Sequence, residues 1–485
     1  MHRRRHLLLI YYDSLIAYSR CSVTPDKVKK MPAEKMALKS SDHEVNQLNS
    51  VPIVDVTKRN FVTFEPIIRL AIENCDFVAI DCELSGLGDR KKLNAPSIEE
   101  RFTNSSIVAK TRAIIALGLS IFKEQPCQID TEPNYNLKRY QVQTYNIVLL
   151  CTEDYIVEPG SVNFLVKHGF NFNQQYSEGI PYYRGNDKDG TTVEENRLRN
   201  IFSEIIRNKK KIVLHNGFVD IIFLYQNLYS QLPKTLPAFL ADLCEMFPNG
   251  IYDTKYIADY VCRIPSTFLE FIFKKLLKEN GNRYLKSLTR IEIEFSKYPS
   301  SYDFVEYIKC TSTNHPTDDK KVCPAFANHG NCQNIECPNS HDVDYILAVQ
   351  EENQTKKKKK KREKNGDEVI SKTIDDHAIK DAVIKELCCT TTSPNKSNAA
   401  AGHRAGMDAF MTGYSYAAST WHKTKLVNEE SVIPTEIKDE VIVNNMYLVC
   451  KEFPLLIKKS NFARNSIGHA QKYEKILKGN INIAK

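Results

Sequence analysis

The chain has 485 residues, of which 42% are hydrophobic and 10% aromatic, so it can bury a sizeable core and is not an intrinsically disordered protein. Its formal net charge is +8, and the basic excess lies mainly in Lys356–Lys364 and in the stretch that follows Lys451. Clustered positive charge favours a polyanionic partner, with nucleic acid ahead of a membrane surface. No run of residues reaches the length of a membrane span. The fourteen cysteines follow no regular framework, which indicates a reducing compartment.

The predicted elements alternate between helices and strands along most of the chain. Helical spacing of apolar residues begins after Asn60, and the apolar run Phe77–Ile80 predicts a buried strand. The remaining predicted elements are strands at Ala113–Phe122 and Tyr140–Cys151, a helix at Glu194–Arg207, a short strand at Lys211–Leu214, helices at Phe218–Tyr229, Phe268–Lys278 and Ala409–Ser419, and a strand at Met446–Val449. This interleaving predicts an α/β fold in which helices flank a mixed central sheet.

Changes in composition divide the chain into six segments. They are a disordered N-terminal segment (1–50), the first part of the α/β domain (51–312), a small cysteine-rich insertion (318–345), a basic and largely disordered linker (346–400), the second part of the α/β domain (401–465) and a basic tail (466–485). The first residues resemble the start of a secretory signal, but Asp13 interrupts the apolar run and no cleavage site follows. No targeting peptide is therefore expected.

The most informative local feature is a pair of acidic residues, Asp81 and Glu83, at the end of the predicted strand Phe77–Ile80. Residues i and i+2 of a strand point to the same face, so the two carboxylates project together. Buried carboxylates this close repel one another unless a cation lies between them. Because oxygen ligands suit Mg²⁺ or Mn²⁺, the pair predicts part of a divalent-metal site.

Two further acids can complete such a site. Asp220 lies in the first turn of a predicted helix, and Asp408 lies in a helix rich in small residues, five positions after His403. Each also has an ordinary interpretation, because acids are common in first turns and a lone His and Asp on a helix are commonly surface residues. The ordered combination of D-x-E, a helical Asp and H-x4-D is improbable by chance. Four such carboxylates can hold two divalent cations for phosphodiester hydrolysis, with His403 as the candidate general base.

These motifs resemble those of the DEDD exonuclease superfamily in its H-x4-D variant. Two segments, AIDCELSGL around Asp81 and GHRAGMDAFMTGY around Asp408, are similar in sequence to the deadenylases of the CAF-one and poly(A)-specific ribonuclease family. The layout is similar to the Target-of-EGR-one type, which carries a CCCH zinc finger inside its nuclease domain. The resemblance covers roughly residues 55–460. It implies an RNase H-like exonuclease fold and a 3′-to-5′ exoribonuclease that removes 3′ adenosine tails from RNA, with two Mg²⁺ or Mn²⁺ ions, releasing 5′-AMP.

The resemblance also implies a pocket for the terminal nucleotide immediately after the acidic pair. Its expected lining is Ser85, Gly86 and Leu87. Gly86 and Gly88 can equally be plain turn glycines, since glycine is the usual residue of tight turns.

Three further polar residues are expected to have supporting rather than catalytic roles. His215 and Asn216 precede the helix of Asp220 and are expected to cap and orient it. Asp253 resembles a supporting position of the family, and we interpret it first as the N-cap of a short helix.

The insertion carries a predicted metal site of its own. The spacing C-x8-C-x4-C-x3-H suits one tetrahedral structural Zn²⁺, and its ligands are Cys323, Cys332, Cys337 and His341. The fragment is too small to fold on its own core, so metal binding is expected to stabilise it. The alternative is four unrelated residues in a polar loop. The spacing resembles CCCH fingers, in which Phe326 would be a residue that stacks on RNA bases.

The run Lys356–Lys364 is interpreted as a nuclear-import signal and a further phosphate-binding segment, with a solvated linker as the alternative. Together with the resemblance, these features predict a nuclear deadenylase that uses an import receptor. Its substrate, messenger or small noncoding RNA, stays open, and the nuclear members of the family favour small noncoding RNA. A catalytically silent zinc-finger RNA-binding adaptor and a 3′ exonuclease of broader specificity, including one acting on DNA, remain open alternatives. The oligomeric state is also open.

Overall fold

The computed structural model describes residues 48–126, 137–189, 191–285, 290–310, 320–334, 336–364, 404–420, 424–426, 432–434 and 437–479. The predictions made for residues 1–47, for His403, for linker residues 365–400 and for the end of the tail lie outside these ranges. Among the described residues, no helix has the length and apolar character needed to cross a membrane.

The described strands cover most of the predicted ones and add several short ones. They are β1 Ser50–Val56, β2 Phe77–Leu84, β3 Ile114–Gln125, β4 Leu137–Cys151, β5 Ile180–Tyr182, β6 Lys211–Leu214, β7 Ile251–Asp253, β8 Arg290–Phe295, β9 Val305–Lys309, β10 Thr424–Leu426, β11 Val432–Pro434, β12 Asn445–Met446 and β13 Leu455–Leu456. The predicted strand Met446–Val449 is thus reduced to the two residues of β12.

The described helices lie between these strands. They are α1 Phe61–Asn74, α2 Arg90–Leu93, α3 Ile98–Thr111, α4 Pro159–Lys167, α5 Phe172–Glu178, α6 Val193–Arg207, α7 Phe218–Leu224, α8 Leu236–Met246, α9 Thr254–Tyr256, α10 Leu269–Leu285, α11 Pro324–His329, α12 Val343–Lys364, α13 Ala405–Ser419, α14 Asp439–Ile442 and α15 Ile467–Leu477. Two of them continue as π-helical turns, α7 into Tyr225–Tyr229 and α9 into Ile257–Val261.

In the described part of the chain, nine strands form one mixed sheet in the order β7-β6-β2-β3-β4-β1-β9, and β5 and β8 also pair with β4. β2 and β7 both run parallel to β6, whereas β3 runs antiparallel to β2 and β4. These three strands are parallel, so the C-terminal ends of β2, β6 and β7 lie side by side at the same end of the sheet. The predicted α/β fold with a mixed central sheet is confirmed.

Alternation along β2 decides which side chains face which helical layer. Val78 and Ile80 belong to a core cluster that includes residues of α1, α3 and α6. Phe77 and Ala79 belong to a second cluster that includes residues of α10 and α13. Because the period of a strand is two residues, the acidic pair that follows continues the second set and points toward α13.

Helix α13 lies in direct contact with the sheet. A Cβ atom on Gly118 of β3 would lie 1.8 Å from the carbonyl oxygen of Ala405, the first residue of α13. A Cβ atom on Gly413, one turn beyond Asp408, would lie 2.2 Å from the ring of Phe122. Only residues without a side chain allow this approach, which agrees with the close packing expected from the small residues of this helix.

The predicted disordered linker begins too early. Residues 346–364 continue the helix α12, which starts at Val343. Val343, Ile346 and Leu347 are buried in the cluster that contains α10, and Lys274 Nζ of α10 donates to Asp344 at 2.9 Å. These apolar residues at helical spacing anchor the first turns of α12 and so explain why helix extends into the basic run.

The predicted basic tail is also corrected, because residues 467–477 form the helix α15. Ser466 Oγ accepts the N–H of His469 at 3.2 Å and so begins the helix. His469 is fully buried, and its Nδ1 lies 2.9 Å from the hydroxyl of Tyr229. Lys472 pairs with Asp187. The basic residues of this segment therefore serve tertiary contacts as well as the surface.

Replacement of Gly118 by alanine is expected to destabilise the protein by about 3 kcal/mol, because the added methyl group overlaps the Ala405 carbonyl and α13 must shift. Gly281→Ala in α10 is the matched control, since a Cβ atom there meets nothing within 4 Å. The control is expected to be neutral or stabilising by about 0.5–1 kcal/mol. Urea unfolding followed by circular dichroism measures both, and equal midpoints would contradict the close contact.

Candidate active site

Three acidic side chains meet where the C-terminal end of β2 faces α13. Ligand oxygens of Asp81, Glu83 and Asp408 all lie within 4.8 Å of one another. Asp81 and Glu83 arrive from alternate positions of β2, and Asp408 lies in the first turn of α13. The structure therefore brings Asp408 to the acidic pair, from which it is separated by more than 300 positions in the sequence.

The electrostatics of this cluster favour a bound cation. Burial raises the pKa of Asp81 well above its ordinary value of 3.8, and the charges of Asp408, Asp220 and Glu83 raise it further. Clustered carboxylates without a counter-charge favour protonation, whereas a divalent cation favours the ionised form. An oxygen-only donor set of this kind fits Mg²⁺ or Mn²⁺.

Asp220 lies in the first turn of α7, outside the group of three whose ligand oxygens lie within 4.8 Å of one another, and it acts on that group through its charge. Its charge is among those that raise the pKa of Asp81, and burial raises its own pKa to about 7, with a further contribution from Asp253. An ordinary first-turn acid would be exposed and would keep a low pKa. The environment of Asp220 is therefore that of a site residue rather than of a surface helix terminus.

The turn that positions Asp220 is held by Asp253, and the predicted capping by His215 and Asn216 is wrong. The buried carboxylate of Asp253 accepts the N–H of Asn216 at 2.9 Å and that of Gly217 at 3.3 Å. It also accepts the N–H of Lys255 at 2.9 Å, so its predicted role as an N-cap is confirmed. Neither predicted residue caps α7 with its side chain, because Gly217 occupies the N-cap position.

His215 instead belongs to the support beneath that turn. Its Nδ1 lies 2.9 Å from Thr254 Oγ1. Burial and the charge of Lys255 lower the pKa of His215 to about 3, so the ring is neutral at neutral pH. A neutral imidazole beside a buried acidic group adds no positive charge to it.

The loop after β2 is fixed from below by Glu158. Its carboxylate accepts the N–H of Leu87 at 3.1 Å and that of Gly88 at 2.8 Å, and it pairs with Arg112. Gly88 adopts a left-handed φ of +77°, as its interpretation as a turn glycine implies. A Cβ atom on Gly86 would lie 2.5 Å from Glu158, so Gly86 is required for this packing.

Ser85 does not face a nucleotide pocket as predicted. Its hydroxyl donates to the carbonyl of Ile156 at 2.8 Å and accepts the N–H of Ala113 at 3.0 Å. The residue is only 1% exposed. Of the three predicted pocket residues, Leu87 is the one that exposes a side chain. The backbone demand of this turn, rather than substrate contact, explains Ser85.

The start of α13 is anchored to the opposite side of the sheet. The guanidinium of Arg404 pairs with Asp55 of β1 and Glu306 of β9. Asn146 of β4 donates to Asp55 at 2.9 Å and accepts the N–H of Gly406 at 3.3 Å. This network fixes the first residues of α13, and neither Arg404 nor Asn146 was predicted as a site residue.

A second candidate metal centre lies in the insertion. Ligand atoms of Cys323, Cys332, Cys337 and His341 all lie within 4.8 Å of one another. His341 Nε2 is buried and has no hydrogen-bond partner among the described residues. A partnerless imidazole nitrogen beside three thiols fits the donor set of a structural Zn²⁺. The structure thus brings together all four predicted ligands.

The insertion packs directly against residues of the α/β domain. Phe326 stacks on His341 at 4.6 Å and meets the ring of Phe268 edge-on at 5.6 Å. Ser266 Oγ donates to the carbonyl of Asn328 at 3.2 Å. Stacking of an RNA base on Phe326, as predicted, would have to displace His341 if the base used the ring face that His341 covers.

Comparison with known proteins adds a family match over most of the chain. The family described as CAF1 family ribonuclease matches residues 56–198 and 188–416. The poly(A)-specific ribonuclease PARN of Xenopus laevis is 28% identical over 137 residues, which are 27% of this chain and 21% of that protein. The pre-piRNA 3′-exonuclease trimmer of Bombyx mori is 25% identical over 218 residues, which are 43% of this chain and 36% of that protein. This chain therefore aligns with about a fifth to a third of the length of these relatives.

One comparison with solved structures aligns about half of this chain. The Schizosaccharomyces pombe protein Pop2p, solved in a form bound to Mg²⁺ and Mn²⁺, is 21% identical and covers 47% of this chain and 82% of its own. The TM-score is 0.35.

Replacement of Asp220 by asparagine is expected to raise the melting temperature of the metal-free protein by at least about 3 °C at pH 8, and by less at pH 5. The pKa of Asp220 is about 7 in the folded chain and ordinarily 3.8, so the folded state holds a proton that the unfolded state has lost between these values. The stability linked to this group is present below pH 4 and is lost as the pH rises through 7. Thermal melts in EDTA at both pH values measure the difference.

The exposed Asp303→Asn serves as the control for this experiment and is expected to have no effect at either pH. Addition of Mg²⁺ at pH 8 is expected to stabilise the wild type more than Asp220→Asn, because a ligand that binds the folded state stabilises it. An equal effect of Asp220→Asn at both pH values would count against the raised pKa.

Replacement of Cys337 by serine is expected to reduce bound zinc from about one ion per chain to below about 0.2, since three ligands hold Zn²⁺ poorly in a closed structural site. Mass spectrometry of the metal content of purified protein measures this. Cys450→Ser is the matched control, because Cys450 is exposed and lies outside the cluster. Undiminished zinc in Cys337→Ser would exclude this residue as a ligand.

Proposed function

Because the chain belongs to the CAF1 family of ribonucleases, we propose that it is a metal-dependent 3′-to-5′ exoribonuclease that shortens adenosine tails at RNA 3′ ends and releases 5′-AMP. The observation that carries this proposal is the acidic cluster of Asp81, Glu83 and Asp408, whose ligand oxygens lie within 4.8 Å at one sheet edge. Asp220 supports it, because its charge acts on Asp81. Ligands bind outside the C-terminal ends of parallel strands in sheets of this kind.

In the proposed hydrolysis, the acidic side chains bind metal ions and a histidine accepts a proton. Two Mg²⁺ or Mn²⁺ ions held by Asp81, Glu83, Asp220 and Asp408 would supply an activated water and stabilise the leaving 3′-oxygen. His403, which precedes the anchored Arg404, would accept the proton of the attacking water. Burial of the carboxylates and their fixed positions on β2, α7 and α13 mean that little reorganisation is needed during the reaction.

The substrate assignment draws on chemistry and on the relatives together. Relatives of this chain are described as a poly(A)-specific ribonuclease and as a pre-piRNA 3′-exonuclease, so both act on RNA. The cluster of Cys323, Cys332, Cys337 and His341 adds a zinc finger to the same folded body. Lys356–Lys364 would serve as a nuclear-import signal. In the nucleus, small noncoding RNA with a 3′ adenosine tail would be the substrate.

Two other functions make different use of the same fold. A 3′ exonuclease of broader specificity is favoured by the likeness to the pre-piRNA exonuclease, whose name does not specify an adenosine tail. A silent RNA-binding adaptor would keep the fold and finger without catalysis. The burial of Asp81 among three other acids counts against the adaptor, because such a cluster is unfavourable without a metal.

Purified protein is expected to shorten 5′-labelled RNA ending in adenosine runs one nucleotide at a time in Mg²⁺. Asp81→Asn is expected to lower the rate by more than about 100-fold. Mutation of a residue that only supports a metal ligand already lowers metal affinity or activity by up to about 100-fold, and Asp81 is a proposed ligand itself. The exposed Asp303→Asn is expected to retain the wild-type rate. Gel electrophoresis of time courses on RNAs ending in A, U, C or G runs, with matched DNA, measures both activity and preference.

Each outcome of this assay selects one function. Equal rates on all four RNA tails would replace the deadenylase with the broader exonuclease. Absence of shortening by wild-type protein that still binds RNA would favour the adaptor. Shortening that survives EDTA, or that is undiminished in Asp81→Asn, would remove the metal-dependent mechanism.

A further inference from the structure

A surface of aromatic and basic side chains lies beside the acidic site, and we call it the aromatic ridge. Its members are Tyr260, Tyr447, Lys451 and Phe453. Asp253 connects it to the site, because the same carboxylate accepts the N–H of Tyr447 at 3.0 Å and that of Asn216 in the turn before Asp220. The ridge therefore begins at the edge where β2, β6 and β7 end.

Ring contacts and a hydrogen bond hold the two tyrosines of the ridge in place. Tyr260 stacks on Tyr256 at 5.2 Å with an interplanar angle of 24°, and it meets Tyr447 edge-on at 6.2 Å. The hydroxyl of Tyr260 donates to the carbonyl of Lys451 at 2.7 Å. Lys451 Nζ lies 5.9 Å from the centre of the Phe453 ring. Two segments distant in sequence are thus joined into one surface.

Phe453 presents its ring to solvent although it lies next to this framework. It is 63% exposed, while Tyr260 and Tyr447 are half-buried. A turn precedes it, in which Lys451 N–H donates to the carbonyl of Leu448 at 3.2 Å and Cys450 adopts a left-handed φ of +56°. Lone exposed apolar residues are common on proteins. A fixed group of rings with an adjacent cation is a more specific arrangement, and it matches the way proteins bind single strands.

The positive charge of this region lies on one side of the ridge. Lys451 Nζ donates to the carbonyl of Pro96, in the loop that follows α2. Helix α2 carries three exposed basic residues, namely Arg90, Lys91 and Lys92. Burial raises the pKa of the Tyr260 hydroxyl, and the nearby carboxylates of Asp259 and Glu452 raise it further. A polyanion would therefore pass on the side of Pro96 and α2.

We propose that the aromatic ridge binds the single-stranded RNA upstream of the 3′ end, with bases stacked on its rings and backbone phosphates paired with Lys451 and α2. This polarity rests on the proposed function, which puts the 3′-terminal nucleotide at the acidic cluster. Every base has a π face, so stacking tolerates sequence. The ridge thus contributes length-dependent affinity for RNA, and it does not contribute the preference for adenosine.

Fluorescence anisotropy with labelled RNA of two and of twelve nucleotides tests the proposal, using full-length protein in the Asp81→Asn background to prevent cleavage. Phe453→Ala and Phe453→Leu are both expected to weaken binding of twelve-nucleotide oligo(A) and oligo(U) by about five- to tenfold. Binding of the dinucleotide is expected to be unchanged. Lys451→Ala is expected to reduce the slope of log Kd against log salt by about one.

Matched controls come from β9, at the opposite edge of the sheet from β7. Tyr307→Ala removes an aromatic ring that is 57% exposed, and Lys309→Ala removes an exposed lysine. Both are expected to bind RNA of either length like the parent protein. Thermal melts of Phe453→Ala and Lys451→Ala are expected to match those of the parent protein, because neither substitution removes a buried side chain.

The outcomes separate this inference from the proposed function. If the wild type shortens RNA but the Phe453 and Lys451 variants bind both lengths normally, the ridge is overturned and the nuclease stands. If the wild type binds RNA without shortening it, the nuclease fails while a length-dependent loss in the variants still supports the ridge. If Phe453→Leu binds as the parent protein does, apolar contact replaces stacking and the RNA-stacking role of the ridge is overturned.

Discussion

Asp408 can reach Asp81 only because helix α13 touches the sheet without intervening side chains. Gly118 and Gly413 make that contact sterically possible, and the pairing of Arg404 with Asp55 fixes the beginning of the helix. Each feature acts on the distance between two structural layers, which a single methyl group would change. The acidic cluster therefore depends on packing some residues away from it, and the close contact extends along α13 beyond the residues with chemical roles.

This contact brings like charges together, and the surrounding structure compensates for their repulsion in two ways. Buried carboxylates with raised pKa values favour a bound divalent cation, which converts an unfavourable arrangement into a binding site. Backbone clamps hold the loops that the charges would otherwise displace: Asp253 fixes the turn before Asp220, and Glu158 fixes the loop after Glu83. The carboxylates of Asp253 and Glu158 each accept hydrogen bonds from several N–H groups, and these bonds compensate their negative charge.

The additions to the central domain are parts of one folded body. The cysteine-rich insertion shares the core of α10 through Ala327 and Val343, and the helix α15 buries His469 against Tyr229. Because α10 packs beside α13, a metal bound by the cluster of this insertion would stabilise the layer that carries Asp408. The aromatic ridge belongs to the same pattern, since Asp253 supports the active-site turn and the ridge with one carboxylate.

The amino-acid sequence alone predicts the alternation of helices and strands, the acidic pair on β2, the later acids Asp220 and Asp408, and the four Cys and His positions that cluster in the insertion. These depend on local periodicity and spacing, which the chain carries directly. The packing of distant segments sets the role of Ser85, the clamping of active-site loops by Asp253 and Glu158, the folding of residues 346–364 and 467–477, and the existence of the ridge. For Asp253, the sequence predicted the N-cap but not the clamp. Ser85 follows two metal-site acids in sequence, yet its hydroxyl bonds to backbone 28 and 71 positions away. Such hydrogen-bond partners depend on how distant segments pack together, so a local sequence pattern does not predict them.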